Sequence, residues 1–153
     1  MMRHIILLIF LFSLSFVTAQ NGINLLKEAE NGEAWAQNGM GNAYLGGHGV
    51  EINYTKAFFW YEKAAKQDHA PGQYGLGLCY EQGKGVQRSP AKAFFWYKKA
   101  AENHLARAQR EVGKVYYTGQ GCEKSKENAI YWLRKSCEQG DDEACNFLNQ
   151  IKD

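Results

Sequence analysis

Apolar side chains follow two different patterns along this chain. Residues 5–17 are almost continuously apolar, whereas from residue 24 onward apolar positions come in spaced groups that return every 36 residues. Within the spaced region, Ala57, Trp60, Tyr61, Ala64 and Ala65 stand at offsets 0, 3, 4, 7 and 8, which is one face of an α-helix. Ala93, Trp96, Tyr97, Ala100 and Ala101 repeat that face, and Trp132 continues the tryptophan series. A first helix is predicted ahead of each of these, over Ala34 to Tyr44, Ala70 to Tyr80 and Ala106 to Tyr116. The pairs Gly47/Gly49, Gly83/Gly85 and Gly119/Gly121 follow in step and predict the turns, because glycine reaches left-handed dihedrals without a steric penalty. Asn53, Ser89 and Ser125 then predict N-caps for the second helices, with Pro90 at a first helical position.

A fixed period of this length implies stacked supersecondary units. The expected fold is all-α: an α/α solenoid of three helix-pair repeats with period 36, flanked by capping helices. The repeats are placed at about 33–68, 69–104 and 105–140, within one domain spanning 20–153. Asn24 to Ala29 matches the tail of a second helix, and Asp141-Asp142-Glu143-Ala144 opens a C-terminal capping helix over 141–151. Its acidic start suits the positive end of a helix dipole. Alanines on the second-helix faces allow close approach, and the indoles and the runs Phe58-Phe59-Trp60-Tyr61 and Phe94-Phe95-Trp96-Tyr97 are assigned to the core.

The N-terminus does not belong to the repeat. Arg3, an apolar run from Ile5 to Val17 and the small-residue exit Val17-Thr18-Ala19 read as a signal peptide over 1–19, cut after Ala19. The run is shorter than the ~20 residues a spanning helix needs. Arg3 leaves with it, so of 18 basic side chains 17 remain against 16 acidic ones. That near balance gives no reason to expect a nucleic-acid or lipid-surface partner.

The motif Ala-x-x-x-Leu-Gly-x-x-Tyr, Gly-x-Gly-Val, Ala-x-x-Trp-Tyr-x-Lys-Ala-Ala resembles the Sel-one-like repeat, a relative of the tetratricopeptide repeat. It is carried here by Met40 to Tyr44, Gly47 to Val50 and Ala57 to Ala65, and again by Leu76 to Tyr80, Gly83 to Val86 and Ala93 to Ala101. The third copy departs, with Cys122 in place of the valine and Ser136-Cys137 in place of the alanine pair. The resemblance extends to the secreted, cysteine-rich branch known from Helicobacter.

Four cysteines in an exported chain favour disulfides. Cys137 ends a second helix and Cys145 lies early in the next, with seven residues between. So short a turn between antiparallel helices can bring them to the ~5.5 Å Cα separation of a disulfide, and the Cys-x7-Cys spacing resembles that of the Helicobacter proteins. A second bridge, Cys79 to Cys122, is expected across neighbouring repeats; buried thiols are the alternative. No metal is expected, since there is no Cys-x2-Cys pair and His48, His69 and His104 lack ligand spacing.

Ser89-Pro90-Ala91-Lys92 matches the Ser-x-x-Lys string of serine β-lactamases. The Ser-Asp-Asn and Lys-Thr-Gly elements are missing, and Asn53, Ser125 and Lys56 occupy equivalent positions, so capping explains Ser89 best. Helicobacter members of the family have been described as penicillin-binding or β-lactamase proteins, so the resemblance also implies a β-lactam- or peptidoglycan-precursor-binding alternative.

First helices usually line the concave side of such a stack. Their non-core positions are Asn38, Asn42 and Leu45, then Tyr74, Leu78 and Glu81, then Arg110, Lys114 and Tyr117, with Arg107 extending a basic stripe. The expectation is a secreted or periplasmic, non-catalytic scaffold that acts as a monomer. Its partner would be a protein or peptide, with no cofactor, no nucleic acid and, after cleavage, no membrane.

Overall fold

The computed structural model describes residues 22–152, so the signal peptide expected at 1–19 lies outside the described residues. All regular structure among them is helical. Helix α1 covers 22–30. It is followed by α2 (Ala34–Gly46), α3 (Tyr54–Ala65), α4 (Ala70–Gln82), α5 (Pro90–Glu102), α6 (Ala106–Thr118), α7 (Lys126–Glu138) and α8 (Asp142–Lys152). Consecutive helices pack on one another and α2 also meets α4, the neighbour-only contact pattern of a solenoid. The expected three helix pairs between capping helices are present.

Local signals place the helix ends. The Asn53 side chain accepts from the Lys56 N–H at 2.9 Å, Ser89 from that of Lys92 at 3.4 Å, and Ser125 from that of Asn128 at 3.2 Å. Helices α2, α4 and α6 end at Gly47, Gly83 and Gly119, all left-handed. The second glycine of the loop serves a different purpose. A Cβ on Gly85 would collide with the Tyr54 carbonyl of the preceding repeat, so this glycine sets how closely successive units approach.

The core is a series of four small clusters strung along the stack. Trp60 packs with Ala29 of the capping helix α1 and with Ala36 and Met40 of its own repeat, and Trp132 packs with Tyr97 of the preceding repeat and with Ala108 and Val112 of its own. Each of these indoles therefore fills a junction between successive units. Leu148 and Ile151 of α8 cover Ala129 and Leu133 at the C-terminal end. Phe58 and Phe94 pack edge-on against Tyr80 and Tyr116 at 5.5 and 5.1 Å. Phe59 and Phe95, expected in the core, are instead 47% and 51% exposed. Two residues beyond Ala57 or Ala93, a helix has turned about 200° away from its buried face.

A buried amide ladder runs between the repeats, and its period was not recognised in the sequence. Gln37, Gln73 and Gln109 are buried, and their amide oxygens accept from Gln67, Asn103 and Gln139 at 2.8, 3.0 and 2.7 Å. Their own amides donate to the Ala29 carbonyl, the Asp68 carboxylate and the Ala101 carbonyl, each at 3.2 Å. Every buried amide is thus satisfied, as burial demands.

The turn between units also repeats. Gly32, Asp68, His104 and Gly140 occupy one position, with φ of 104°, 56°, 62° and 87°. An L-residue pays roughly 1 kcal/mol for that left-handed geometry. The His104 side chain is exposed, so His104→Gly is expected to raise stability by about 0.5–1 kcal/mol. Urea denaturation would check this; a destabilised variant would show that the imidazole supports the turn.

The structure joins Cys137 of α7 to Cys145 of α8, with Cα atoms 4.7 Å apart. The second expected bridge is not formed, and Cys79 and Cys122 are free thiols. Cys79 packs inward with Ala57, Tyr61 and Leu76, where burial pushes its pKa up to about 11. Cys122 sits in the loop after α6, its sulfur near the Val115 and Glu123 carbonyls. One thiol faces a core and the other a loop, so neither is presented to the other.

Candidate binding pocket on the first helices

Helices α2, α4 and α6 carry the positions expected to contact a partner, and the structure gives these positions different roles. Leu45, Leu78 and Tyr117 are partly buried against the core clusters, Tyr117 meeting Phe147 edge-on at 5.3 Å. Asn38 is half-buried and Asn42 exposed. Asn42 accepts from the Tyr61 hydroxyl at 2.7 Å, and Glu81 accepts from the Tyr97 hydroxyl at 2.9 Å. Buried phenols on the second helices thus orient polar groups on the first.

Tyr74, Arg107 and Arg110 converge. With Ala106 and the α7–α8 turn of Gln139, Gly140 and Asp141, they line an open pocket of about 340 Å³. The two arginines are three residues apart on α6 yet differ in state. Arg110 Nη1 donates to both Asp141 carboxylate oxygens at 2.8 Å and lies 3.3 Å from a Glu143 oxygen, while its Nε donates to Glu111 at 3.3 Å. Burial works against its charge, but Asp141 and Glu111 outweigh that and hold the guanidinium above its ordinary pKa. Asp141 is the mirror case. Burial would raise its pKa, but the Ala144 N–H and Arg110 prevail and hold the carboxyl below its usual value. Asp141 also caps α8, accepting from the Ala144 N–H at 3.0 Å.

Arg107 is exposed and has no ion-pair partner among the described residues. Its guanidinium lies over the Tyr74 ring, 5.9 Å from the centroid, an arrangement that holds a cation in place without neutralising it. Lys114 donates to Glu111 at 3.1 Å. The basic stripe expected over Arg107, Arg110 and Lys114 is therefore largely neutralised within the protein, and Arg107 is its open charge. The neutralising groups are Glu111, absent from the expected positions, and Asp141, expected only as the acidic start of the capping helix. Glu111 lies between the two partners it neutralises on α6, whereas Asp141 belongs to the next unit.

Ser89 accepts from the Lys92 backbone N–H, while the Lys92 ammonium lies over the Tyr80 ring at 5.3 Å. Lys56 lies over Tyr44 in the same way at 5.1 Å. This is a repeated packing feature, with the lysine directed to an aromatic ring rather than to a hydroxyl nucleophile.

The family model for the Sel1 repeat matches residues 36–69, 70–105 and 106–141. Among solved structures, the chain is similar to a Sel1 repeat protein from Oxalobacter formigenes. The TM-score is 0.82 and the identity 35%, over 94% of this chain and 58% of that one. It is also similar to c5321, a protective antigen present in uropathogenic Escherichia coli strains displaying an SLR fold. There the TM-score is 0.76 and the identity 40%, over 79% of this chain and 26% of that one. The Helicobacter pylori cysteine rich protein B, hcpB, gives a TM-score of 0.68 and 26% identity over 85% of this chain and 94% of its own. This chain thus spans less than two thirds of the first two relatives. No curated protein matches the sequence.

Proposed function

The chain belongs to the Sel1 repeat family, and from that premise we propose that it is an exported, non-catalytic scaffold whose first helices hold a protein or peptide partner. The observation that carries this reading is the unpaired Arg107 guanidinium, fixed on Tyr74 at the mouth of a pocket. A pocket of about 340 Å³ accepts one or two side chains rather than a folded domain, which suits an extended segment. The open positive charge calls for an acidic side chain or a C-terminal carboxylate, with bidentate pairing available to the guanidinium. Asn38, Asn42 and Lys114 would extend the contact along the same helices, with Tyr74, Leu78 and Tyr117 as its apolar part. Export rests on the leader over 1–19, with cleavage after Ala19, on the Cys137–Cys145 link, and on the likeness to the Helicobacter cysteine rich protein.

Photo-cross-linking from position 74 in an envelope extract should trap a partner, and Arg107→Glu should reduce its capture about tenfold, as loss of a charged hydrogen bond implies. Equal capture by wild type and Arg107→Glu would remove this site from the function. Arg110 is unsuitable for the test, because it ties α6 to the capping turn.

A further inference from the structure

The outer faces of the second helices carry a feature that the pocket does not use. Phe59, Phe95 and Tyr131 stand 36 residues apart and are 47%, 51% and 50% exposed. One helical turn on, Lys63, Lys99 and Lys135 place their ammonium groups over these rings at 4.7, 5.8 and 4.8 Å. Each ring also meets the edge of its neighbouring indole, Trp60, Trp96 or Trp132, at 5.1–5.3 Å, so every rung is held in place before any ligand arrives. None of the three lysines is in an ion pair among the described residues. Helices α3, α5 and α7 carry eight lysine or arginine side chains against four glutamates, although the whole chain is nearly balanced at 18 against 16. The surplus positive charge therefore lies on the second helices, and Lys63, Lys99 and Lys135 bring part of it to the exposed rings. It increases along the stack, since the position of Glu62 is taken by Lys98 and then Arg134.

We infer that this face binds a linear anionic glycan, a chain of sugars bearing carboxylates. Three rungs of the same chemistry, in step with the repeat, suit a ligand whose own groups recur. An acidic sugar has the matching pair of features: an apolar C–H face for the open half of the ring and a carboxylate for the ammonium. A folded acidic protein presents its charges irregularly. The second helices contact the intervening first helices rather than one another, so a ligand that engages several rungs must bridge them, as a flexible chain does.

The test is titration calorimetry of the full mature chain against polygalacturonate. Methyl-esterified polygalacturonate, poly-glutamate and phosphatidylglycerol vesicles serve as the other arms. Polygalacturonate is expected to bind, and more weakly at raised salt. Phe95→Ser/Tyr131→Ser and Lys99→Gln/Lys135→Gln should each weaken it about tenfold or more. These positions are on the surface, and unchanged circular dichroism would confirm that the variants fold. Arg107→Glu should bind the polymer like wild type, which separates this surface from the first-helix pocket. The inference is overturned by absence of binding, by equal binding of the esterified polymer, by poly-glutamate or vesicles binding as well, or by aromatic variants that bind unchanged.

Discussion

Tyr97→Ala is expected to lower the unfolding free energy by about 3–5 kcal/mol, a large fraction of the roughly 5–15 kcal/mol available to a domain of this size. The ring is fully buried and packs with Ala93, Ala100, Val112 and Trp132. It has no slack on the α4 side, where a Cβ on Gly77 would stand 2.5 Å from two ring carbons. Tyr74 lies against it at 5.5 Å. Truncation would therefore open a cavity at the junction of repeats two and three, and helices on both sides would have to shift to close it. The hydroxyl is a separate contribution. It donates to Glu81 at 2.9 Å, and burial together with that carboxylate pushes the phenol well above its ordinary pKa. The proton accordingly stays on the oxygen and Glu81 is held as an acceptor. Tyr97→Phe should then cost only about 1 kcal/mol. Urea denaturation of both variants checks the pair; a loss under 1 kcal/mol for Tyr97→Ala would mean that the junction repacks around the missing ring.

Removing the Cys137–Cys145 link should cost about 2–3 kcal/mol, the chain-entropy value for so short a loop. The loss should fall unevenly. Helix α8 covers the last core cluster with Ala144, Leu148 and Ile151, and it is tethered by the disulfide and by Asp141 paired with Arg110. Without the covalent tether, Cys137→Ala/Cys145→Ala is expected to keep α8 docked under native conditions but to let it open well before the rest. In a neighbour-coupled stack, an end unit has only one interface to hold it. Hydrogen exchange gives the readout. Lost protection confined to α8 and the adjoining end of α7 is expected, and uniform loss along the chain would show instead that the link acts on the whole fold.

Much of this architecture is legible in the one-dimensional pattern because it is local. The spacing of Ala57, Trp60, Tyr61, Ala64 and Ala65 defines a helical face without reference to anything outside α3, and Asn53 caps that helix through Lys56, three residues away. Repetition then multiplies each local signal by three. The pairing of Cys137 with Cys145 is legible for the same reason, since the chain between them is too short to lead elsewhere. Phe59 and Phe95 show where pattern reading fails. A run of four aromatics suggests a core, yet a helix presents adjacent residues about 100° apart, so a run of four cannot all be buried against one neighbour. The amide ladder shares the 36-residue period and could have been found as a recurring Gln followed 30 residues later by an amide, although amides at such spacing carry no pattern of apolarity to draw attention to them.

The candidate pocket was only half visible. Tyr74, Arg107 and Arg110 could be placed on the first helices from the sequence, but nothing in it distinguishes the two arginines. The sequence by itself determined that three helix pairs stack, where the paired helices begin, which glycines turn the chain after the first helices, and that the alanine-rich stripe of each second helix is buried. Those properties follow from dihedral preferences and from residues within one turn of each other. Only the tertiary structure decided that Arg110 is neutralised by Asp141, 31 residues away, while Arg107 remains open over Tyr74. It likewise left Cys79 and Cys122 as free thiols. Helical periodicity fixes the direction in which a side chain leaves its helix. What it meets there depends on how the next repeat is set against it, and that is settled by packing between units.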